Sequence, residues 1–247
     1  MGILWESKTL GTHYSVRSAG GSIRLYSNGV FHSQWNPKRP FAGAVWDCLT
    51  LPALYKHPDS VKRILILGLG GGAGVRQLQT MLPFEQLVAL EIEAVHIQVA
   101  RNWFGVSAPN IDIIEADAIS WIKSYKGPGF DFVIDDIFGH NNKEPMRAQA
   151  LTPAWLGSLK NVLNSHGVLV VNCISRAELR NALPSVKTAG FRYGYRWSLP
   201  EYDNAIGVFV QHQIRNKDWS DHLDATDLSR AMKKAARRVV RRSIDFG

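Results

Sequence analysis

The 247-residue sequence has little cysteine, no long apolar run and no block of low complexity. Its two cysteines, Cys48 and Cys173, are too few for a disulfide framework or a cysteine-based zinc site, and their apolar surroundings predict buried thiols. No apolar stretch approaches the roughly 20 residues that a membrane-spanning helix needs. The first residues also lack the charged-then-apolar pattern of a secretory signal, so the expected location is the cytoplasm.

Apolar residues are nevertheless plentiful, at 45% of the chain, which suffices for the core of one α/β domain with a small appendage. Short runs rich in Val, Ile and Leu alternate with helical patterns, as a parallel sheet covered on both faces requires. The pattern predicts a Rossmann-like, doubly wound, mostly parallel sheet of seven strands, the last two antiparallel. The predicted strands are 63–68, 86–91, 111–115, 131–135, 167–172, 191–199 and 204–213.

A small β-hairpin unit is predicted ahead of this sheet, with Asn28-Gly29 as a tight turn between strands near 22–27 and 30–35. A further strand is expected near 13–18, and a helix from about 42 to 56. The expected organisation is therefore three units in chain order. They are the N-terminal hairpin unit (1–40), the Rossmann-like domain (41–222) and a basic C-terminal helix (223–247).

The first predicted strand of the domain ends in a loop with five glycines in seven residues: Gly68, Gly70, Gly71, Gly72 and Gly74. Glycine permits positive φ and lets a ligand approach the main chain closely. The helix that follows would present unpaired N–H groups to an anionic ligand. These features favour a nucleotide-binding loop, and a plain turn between a strand and a helix is the alternative.

Acidic residues follow the next three strands at their carboxyl ends, where ligands of open α/β sheets bind. Glu91 comes about 20 residues after the glycines and is predicted to accept hydrogen bonds from ribose hydroxyls. The alternative is that Glu91 only ends a strand at the surface. Asp117 is placed to accept from an exocyclic amine, with a helix N-cap as the equal alternative. Asp135 and Asp136 reach the same edge of the sheet from the fourth strand.

These motifs in this order resemble the spermidine synthase family, the polyamine aminopropyltransferase branch of the class I S-adenosylmethionine-dependent transferases. The resemblance extends from about Tyr14 to Gln211. It rests on Gly-Leu-Gly-Gly-Gly-Ala-Gly, Glu-Ile-Glu, Asp-Phe-Val-Ile-Asp-Asp and the hairpin segment 21–32. It implies that the 41–222 domain binds S-adenosylmethionine or its decarboxylated form through Gly68, Gly70, Gly71 and Gly72, with no metal.

The resemblance also implies individual roles. Glu91 matches the family's ribose-binding acid, and Asp117, with its neighbour Ala118, matches the adenine side. Asp136 matches the aspartate that deprotonates the amine substrate, and Asp135 is the less favoured candidate for that role.

Three further residues are candidates for the acceptor side. His140 is a second candidate base, because it follows Asp136 by four residues and the unperturbed pKa of a histidine lies near neutrality. An exposed loop histidine is its favoured alternative. His32 and Trp46 are predicted to line the acceptor pocket, and positions in the core or on the surface explain them equally well.

The chain departs from the family at three places. Gly71 replaces an aspartate that holds the donor's free amine, Val45 lies where a tyrosine is usual, and Gly139 replaces a second acid. Without the acid at Gly71, the loop would offer N–H groups to the carboxylate of intact S-adenosylmethionine. Methyl transfer to a small amine or hydroxyl acceptor is therefore favoured. Aminopropyl transfer from the decarboxylated donor is the second hypothesis, and a non-catalytic nucleotide-binding scaffold is the third.

The net charge of +8 comes largely from the C-terminal segment, where basic residues alternate with apolar ones at helical spacing. The favoured interpretation is a surface helix docked by its apolar stripe, and an electrostatic contact with nucleic acid or an anionic membrane surface is the alternative. The expected partner is otherwise a small-molecule acceptor. A homodimer is also compatible with the sequence.

Overall fold

The N-terminal residues form a four-stranded antiparallel sheet in the computed structural model, which describes residues 2–141 and 144–246, without the side chains of 140, 141, 144 and 145. Asn28 and Gly29 adopt φ of 48° and 82°, the left-handed pair that a two-residue hairpin turn requires. The predicted hairpin is confirmed, and one more strand precedes it. The strands, in spatial order, are β1 (Gly2–Thr9), β2 (Thr12–Ala19), β3 (Ser22–Ser27) and β4 (Val30–Trp35).

The central sheet has eight strands within the described ranges, five of them parallel. Its interior strands are buried along nearly their whole length, as their continuous apolar sequences predict. The predicted α/β sheet is thus confirmed, with an eighth strand added at one edge. The strands are β5 (Arg63–Leu67), β6 (Gln86–Glu91), β7 (Ile111–Glu115), β8 (Phe130–Asp135), β11 (Leu163–Cys173), β12 (Tyr193–Ser198), β13 (Ala205–Val210) and β14 (Val240–Ile244).

Their spatial order is β14-β12-β13-β11-β8-β5-β6-β7, so the chain reverses direction across the sheet between β5 and β8. In an open α/β sheet this reversal opens a crevice at the carboxyl ends of the strands. A separate hairpin, β9 (Phe138–Asn141) and β10 (Glu144–Arg147), follows β8 directly.

Helices cover both faces of the sheet, which completes the doubly wound architecture. One apolar core holds α1, α2, α3 and α7, and the other holds α4, α5 and α6. Both predicted thiols are buried, one in each core. The helices are α1 (Val45–Thr50), α2 (Ala73–Met81), α3 (Ala94–Asn102), α4 (Ala118–Ser124), α5 (Pro153–Asn161), α6 (Arg176–Thr188), α7 (Asn216–Asp224) and α8 (Arg230–Ala236).

The helix predicted from about 42 to 56 is shorter than expected. The α-helix α1 ends at Thr50 and continues as a 3-10 helix over Leu51–Tyr55. Pro52 begins this change, because proline has no N–H with which to continue the hydrogen-bond ladder of an α-helix.

The prediction of one basic C-terminal helix is wrong. Helix α8 ends at Ala236, and β14 then pairs antiparallel with β12, so that Arg241 lies opposite Trp197. The open edge of β12 and the β-branched Val239-Val240 pair favour a strand, and sheet pairing outweighs helical periodicity here. The division into units at 1–40, 41–222 and 223–247 stays a prediction.

Several basic side chains of the C-terminal segment contact other parts of the same chain. Arg237 forms an ion pair with Asp224 at 2.6 Å, and the Arg241 guanidinium lies 3.6 Å from the ring centroid of Trp219. The segment therefore docks onto the domain through cations as well as apolar groups. Binding of nucleic acid or an anionic surface stays a prediction, and a steep loss of affinity with salt would be its signature. None of the described helices is both long and apolar enough to span a bilayer.

Candidate functional site

A cavity of about 750 Å³ lies where β5, β6 and β8 end, and the N-terminal sheet and α1 cover it. Eight of the predicted site residues line it together. Two of the predicted glycines and Asp135 lie outside it. His140 lies in β9, and its side chain is outside the described residues. The eight lining residues are His32, Trp46, Gly68, Gly70, Glu91, Asp117, Ala118 and Asp136.

Gly68 is required by the protein's own packing. Its φ is +90°, and a Cβ at this position would lie 2.3 Å from the main-chain oxygen of Asp136. The loop and the end of β8 approach each other so closely that no side chain fits between them. Gly72, with φ of +85°, meets a similar limit, because its Cβ would lie 2.5 Å from Cγ2 of Val106.

Gly71 faces the N-terminal sheet and not the cavity. A Cβ there would lie 2.7 Å from Cβ of Ser33 and 2.9 Å from Cζ of Phe104. Ser33 and Phe104 therefore leave no space at this position for the aspartate that is usual in the family.

The glycine loop uses most of its own N–H groups within the protein. Because five of the seven N–H groups from Gly68 to Gly74 already have acceptors, the loop keeps few free donors for an anion, and its role in binding a nucleotide stays a prediction. The bonds run from Gly68 N to Leu90 O (3.0 Å), Leu69 N to Leu90 O (3.2 Å), Gly70 N to Glu91 Oε2 (2.8 Å), Gly72 N to Leu69 O (2.9 Å) and Ala73 N to Ser33 Oγ (3.4 Å).

Glu91 is buried at the end of β6 and is held by several donors. Its Oε1 accepts from the main-chain N–H groups of Ile92 and Glu93, and its Oε2 accepts from Gly70. Burial alone would raise the pKa of Glu91, but these bonds and the neighbouring His96 lower it below its ordinary value. The carboxylate is thus kept ionised and fixed beside the glycine loop.

His96 connects this carboxylate to the N-terminal sheet. Its Nδ1 lies 3.7 Å from Oε2 of Glu91, and its Nε2 forms a 2.9 Å hydrogen bond with Oγ of Ser27. The Tyr14 hydroxyl makes a second connection by donating a 2.6 Å hydrogen bond to Oε2 of Glu93. The sheet that precedes the domain is therefore part of the wall behind Glu91. Only the tertiary structure reveals this role of His96, since its sequence position on a helix gives no signal.

Asp117 is the helix N-cap that the sequence offered as one alternative, and its contact with an exocyclic amine stays a prediction. It caps α4 by accepting from the N–H groups of Ile119 and Ser120 and from the Ser120 hydroxyl, and it also lines the cavity. The bond from Ser120 lowers the pKa of Asp117 below its ordinary value. A carboxylate that caps a helix keeps unused lone pairs for a ligand.

Asp135 and Asp136 point to opposite sides of the sheet, as successive residues of a strand must. Asp135 is fully buried, accepts from Arg147 Nη2 at 2.6 Å and from Trp155 Nε1 at 2.9 Å, and does not line the cavity. Of the two aspartates, the described cavity therefore contains Asp136 alone. Sequence reasoning missed Arg147, which lies in the hairpin after β8.

Asp136 is a cavity carboxylate whose pKa is raised well above its ordinary value. Burial raises its pKa from 3.8 to about 7, although a hydrogen bond from Asn172 and the charge of Arg147 both act to lower it. Its Oδ1 accepts from Asn172 Nδ2 at 2.7 Å. A carboxylate that titrates near neutrality can accept a proton and release it again at physiological pH. Asn172 also escaped sequence reasoning, although as a polar residue near the end of a strand it carried the same signal as Glu91.

His32 and Trp46 cover the cavity from the N-terminal side. The His32 ring centroid lies 4.9 Å from that of His96, and Trp46 packs edge-on against Phe31 at 5.3 Å. The loop between β12 and β13 adds Tyr202, Asp203 and Asn204 to the lining, none of which the sequence singled out.

The charge of the cavity wall is strongly one-sided. Among the described residues, its lining contains five carboxylates and neither lysine nor arginine. Such a wall attracts cations and repels ligands that carry a free carboxylate. The five are Glu91, Glu93, Asp117, Asp136 and Asp203.

Curated relatives place the sequence near two kinds of transferase. It is 29% identical over 213 residues to polyamine aminopropyltransferase 1 of Hyperthermus butylicus, covering 81% of this chain and 68% of the relative. It is 31% identical over 156 residues to the polyamine aminopropyltransferase of Vibrio vulnificus, covering 62% of this chain but only about half, 51%, of that relative. The human eEF1A lysine and N-terminal methyltransferase matches over 140 residues at 27% identity, which is 50% of this chain and 20% of the relative. No family model matches the sequence.

Solved structures share the fold. Spermidine synthase from Thermotoga maritima superposes with a TM-score of 0.70 at 15% identity, covering 95% of this chain and 84% of that one. Human methyltransferase-like protein 13 in complex with SAH superposes with a TM-score of 0.61 at 20% identity, covering 77% and 90%. At these identities the likeness concerns the fold alone.

Proposed function

This chain is a spermidine-synthase-like protein with the fold of the class I S-adenosylmethionine-dependent methyltransferases, and we propose that it transfers an aminopropyl group to an amine. The donor would be decarboxylated S-adenosylmethionine. The observation that carries the proposal is the cavity wall of five carboxylates without a lysine or arginine among its described residues. The named aminopropyltransferase relatives support it.

The acidic cavity wall favours the decarboxylated donor, whereas the lost acid at Gly71 favoured the intact one. A decarboxylated donor carries a sulfonium and an ammonium, and an amine acceptor adds further positive charge. The intact donor adds a carboxylate, and each carboxylate pair at 4 Å costs about 1 kcal/mol in water and about 4 kcal/mol near a protein surface. The loop N–H groups that were expected to bind that carboxylate are largely engaged elsewhere.

The residues of the cavity fit an adenosyl donor. Glu91 would hold the ribose hydroxyls, because its position beside Gly70 is fixed by three main-chain donors. Asp117 and Ala118 would face the adenine, and Gly68 and Gly70 would let the donor approach the main chain. The donor, when bound, supplies an electrophilic carbon attached to a positively charged sulfur.

Asp136 would act as the base of the transfer. The acceptor nitrogen forms a bond to the electrophilic carbon while the bond from that carbon to sulfur breaks, and Asp136 takes the proton that the nitrogen loses. The sulfur leaves as a neutral thioether, so the charges balance. His32 and Trp46 would line the acceptor side, and a role for His140 stays a prediction.

Methyl transfer from intact S-adenosylmethionine is the second candidate. It is favoured by the absence of an acid at Gly71, where the neighbouring Ser33 and Phe104 leave no space for one. The match to a lysine and N-terminal methyltransferase over half of the chain is consistent with it.

Calorimetric titration with decarboxylated S-adenosylmethionine, intact S-adenosylmethionine and methylthioadenosine separates these functions. We expect the decarboxylated donor to bind at least about tenfold more tightly than the intact one, which corresponds to about 1.4 kcal/mol. A preference for the intact donor would establish methyl transfer as the better proposal. If none of the three compounds binds, the non-catalytic scaffold is the remaining hypothesis.

Replacing Glu91 with glutamine should weaken donor binding by roughly 10- to 100-fold, because charge-assisted hydrogen bonds to the ribose are lost. Glu115→Gln is the matched control, since Glu115 lies opposite Glu91 on the neighbouring strand and is exposed outside the cavity. The same titration measures both variants. Equal affinities in the two variants would remove Glu91 from the donor site.

A further inference from the structure

Two asparagine side chains form a chain of hydrogen bonds that ends on Asp136. Asn204 Nδ2 donates to Asn172 Oδ1 at 2.9 Å, and Asn172 Nδ2 donates to Asp136 Oδ1 at 2.7 Å. The three residues come from the loop before β13, the end of β11 and the residue after β8. Three separate elements are thus joined by one chain of hydrogen bonds.

The chain of bonds has a direction. An asparagine amide presents an acceptor on one side and a donor on the other. Because Asn204 donates to the carbonyl oxygen of Asn172, the amide nitrogen of Asn172 must face Asp136. If Asn204 were absent, the Asn172 amide could rotate and turn its oxygen toward the carboxylate, where two acceptors would repel each other.

We infer that Asn172 and Asn204 are positioning residues that hold Oδ1 of Asp136, so that Oδ2 is presented to the acceptor amine. The inference rests on the proposed function of Asp136 as the base. It also gives the loop before β13 a second role, since Tyr202 and Asp203 of the same loop line the cavity. A displacement of this loop would change both the acceptor wall and the orientation of the base.

Several charges act on Asp136 besides this chain of bonds. Asp135 and Glu91 raise its pKa together with burial, and Arg147 lowers it. The bond from Asn172 stabilises the ionised form and therefore lowers the pKa. Loss of this bond should move the pKa of Asp136 upward from about 7.

The test uses Asn172→Leu in the full chain, with two readouts. We expect the Asp136 pKa, followed by ¹³C NMR of labelled aspartate and identified by its absence in Asp136→Asn, to rise by roughly one to two units. The acidic limb of the kcat–pH profile should move by the same amount, with donor affinity unchanged. Asn204→Ala should shift the Asp136 pKa and the acidic limb in the same direction by a smaller amount. This variant replaces Asn172→Leu in the test if Asn172→Leu fails to fold.

Asn164→Leu is the matched control. Asn164 lies on the same strand and also donates to an aspartate, Asp131, at 3.0 Å, but neither residue lines the cavity. This variant should leave the pKa of Asp136 and the pH profile unchanged. If the pKa of Asp136 is unchanged in both Asn172→Leu and Asn204→Ala, the inference is overturned, whether or not the protein is catalytically active. A shifted pKa of Asp136 without catalytic turnover of any donor would support the positioning role of Asn172 and Asn204 and refute the proposed transfer.

Discussion

Asp136→Asn should reduce kcat by roughly 10²- to 10⁴-fold, the contribution typical of a general base. Asparagine keeps the shape of the side chain and can still pair with Asn172, but it cannot accept the proton of the acceptor nitrogen. Donor affinity should stay close to that of the wild type, because Glu91 and Asp117 would hold the adenosyl part. Steady-state kinetics and calorimetric titration of the same preparation measure the two quantities.

The pH dependence of kcat provides a second test of the role of Asp136. Asp136 must be ionised to take a proton, so kcat of the wild type should rise as the pH passes through about 7, and the variant should lack this limb. The folded-state pKa of Asp136 lies above its ordinary value, so the contribution of this group to stability should fall as the pH rises from 3.8 to about 7. Asp136→Asn should then be the more stable protein at pH 8. Unchanged kcat, or lost donor binding with kcat intact, would show that Asp136 is not the base.

Gly68→Ala should destabilise the protein by more than about 3 kcal/mol and abolish donor binding. The φ of +90° is unfavourable for alanine, and its Cβ would lie 2.3 Å from the main-chain oxygen of Asp136. Relief of this clash requires the loop and the end of β8 to separate, which displaces Asp136 itself. For a chain of this size the loss corresponds to a Tm lowered by roughly 6–12 °C, measurable by thermal unfolding.

Gly74→Ala is the control for this substitution. Gly74 lies in α2 without a positive φ, and the nearest atom to a Cβ there is Thr50 Cγ2 at an ordinary 3.6 Å. Alanine in a helix is favoured over glycine by up to about 1 kcal/mol, so Tm should stay equal or rise slightly. If Gly68→Ala unfolds at the same temperature as Gly74→Ala, the close approach to Asp136 does not constrain the loop.

The local sequence was sufficient to predict the strands and the polar residues that follow them, because both depend on the hydrophobic pattern of each strand. Parallel strands such as β6 and β8 are apolar throughout because both faces are buried, and this is visible without any tertiary information. Polar residues at their carboxyl ends, Glu91 and Asp136, were found for the same reason. The Asn28-Gly29 turn is also local, because only its own φ angles decide it.

The sequence failed where a residue's surroundings come from distant segments. The positive segment after residue 230 has helical spacing, yet the exposed edge of β12 converts its end into the strand β14. Gly71 suggested an open position for a donor carboxylate, but Ser33 and Phe104 from other elements fill that space. Asp135 and Asp136 were indistinguishable by type, and only the partners Arg147 and Trp155 show that Asp135 is the one outside the cavity.

The sequence by itself thus determined the α/β sheet, the hairpin unit, the glycine loop and the acids that end the strands, since each depends on periodicity or on a neighbouring residue. Only the tertiary structure decided the charge of the cavity wall, the orientation of Asp136 by Asn172 and Asn204, and the lack of space at Gly71. The physical reason is that electrostatic fields and packing act through space. The groups that produce them here lie on elements far apart in the chain.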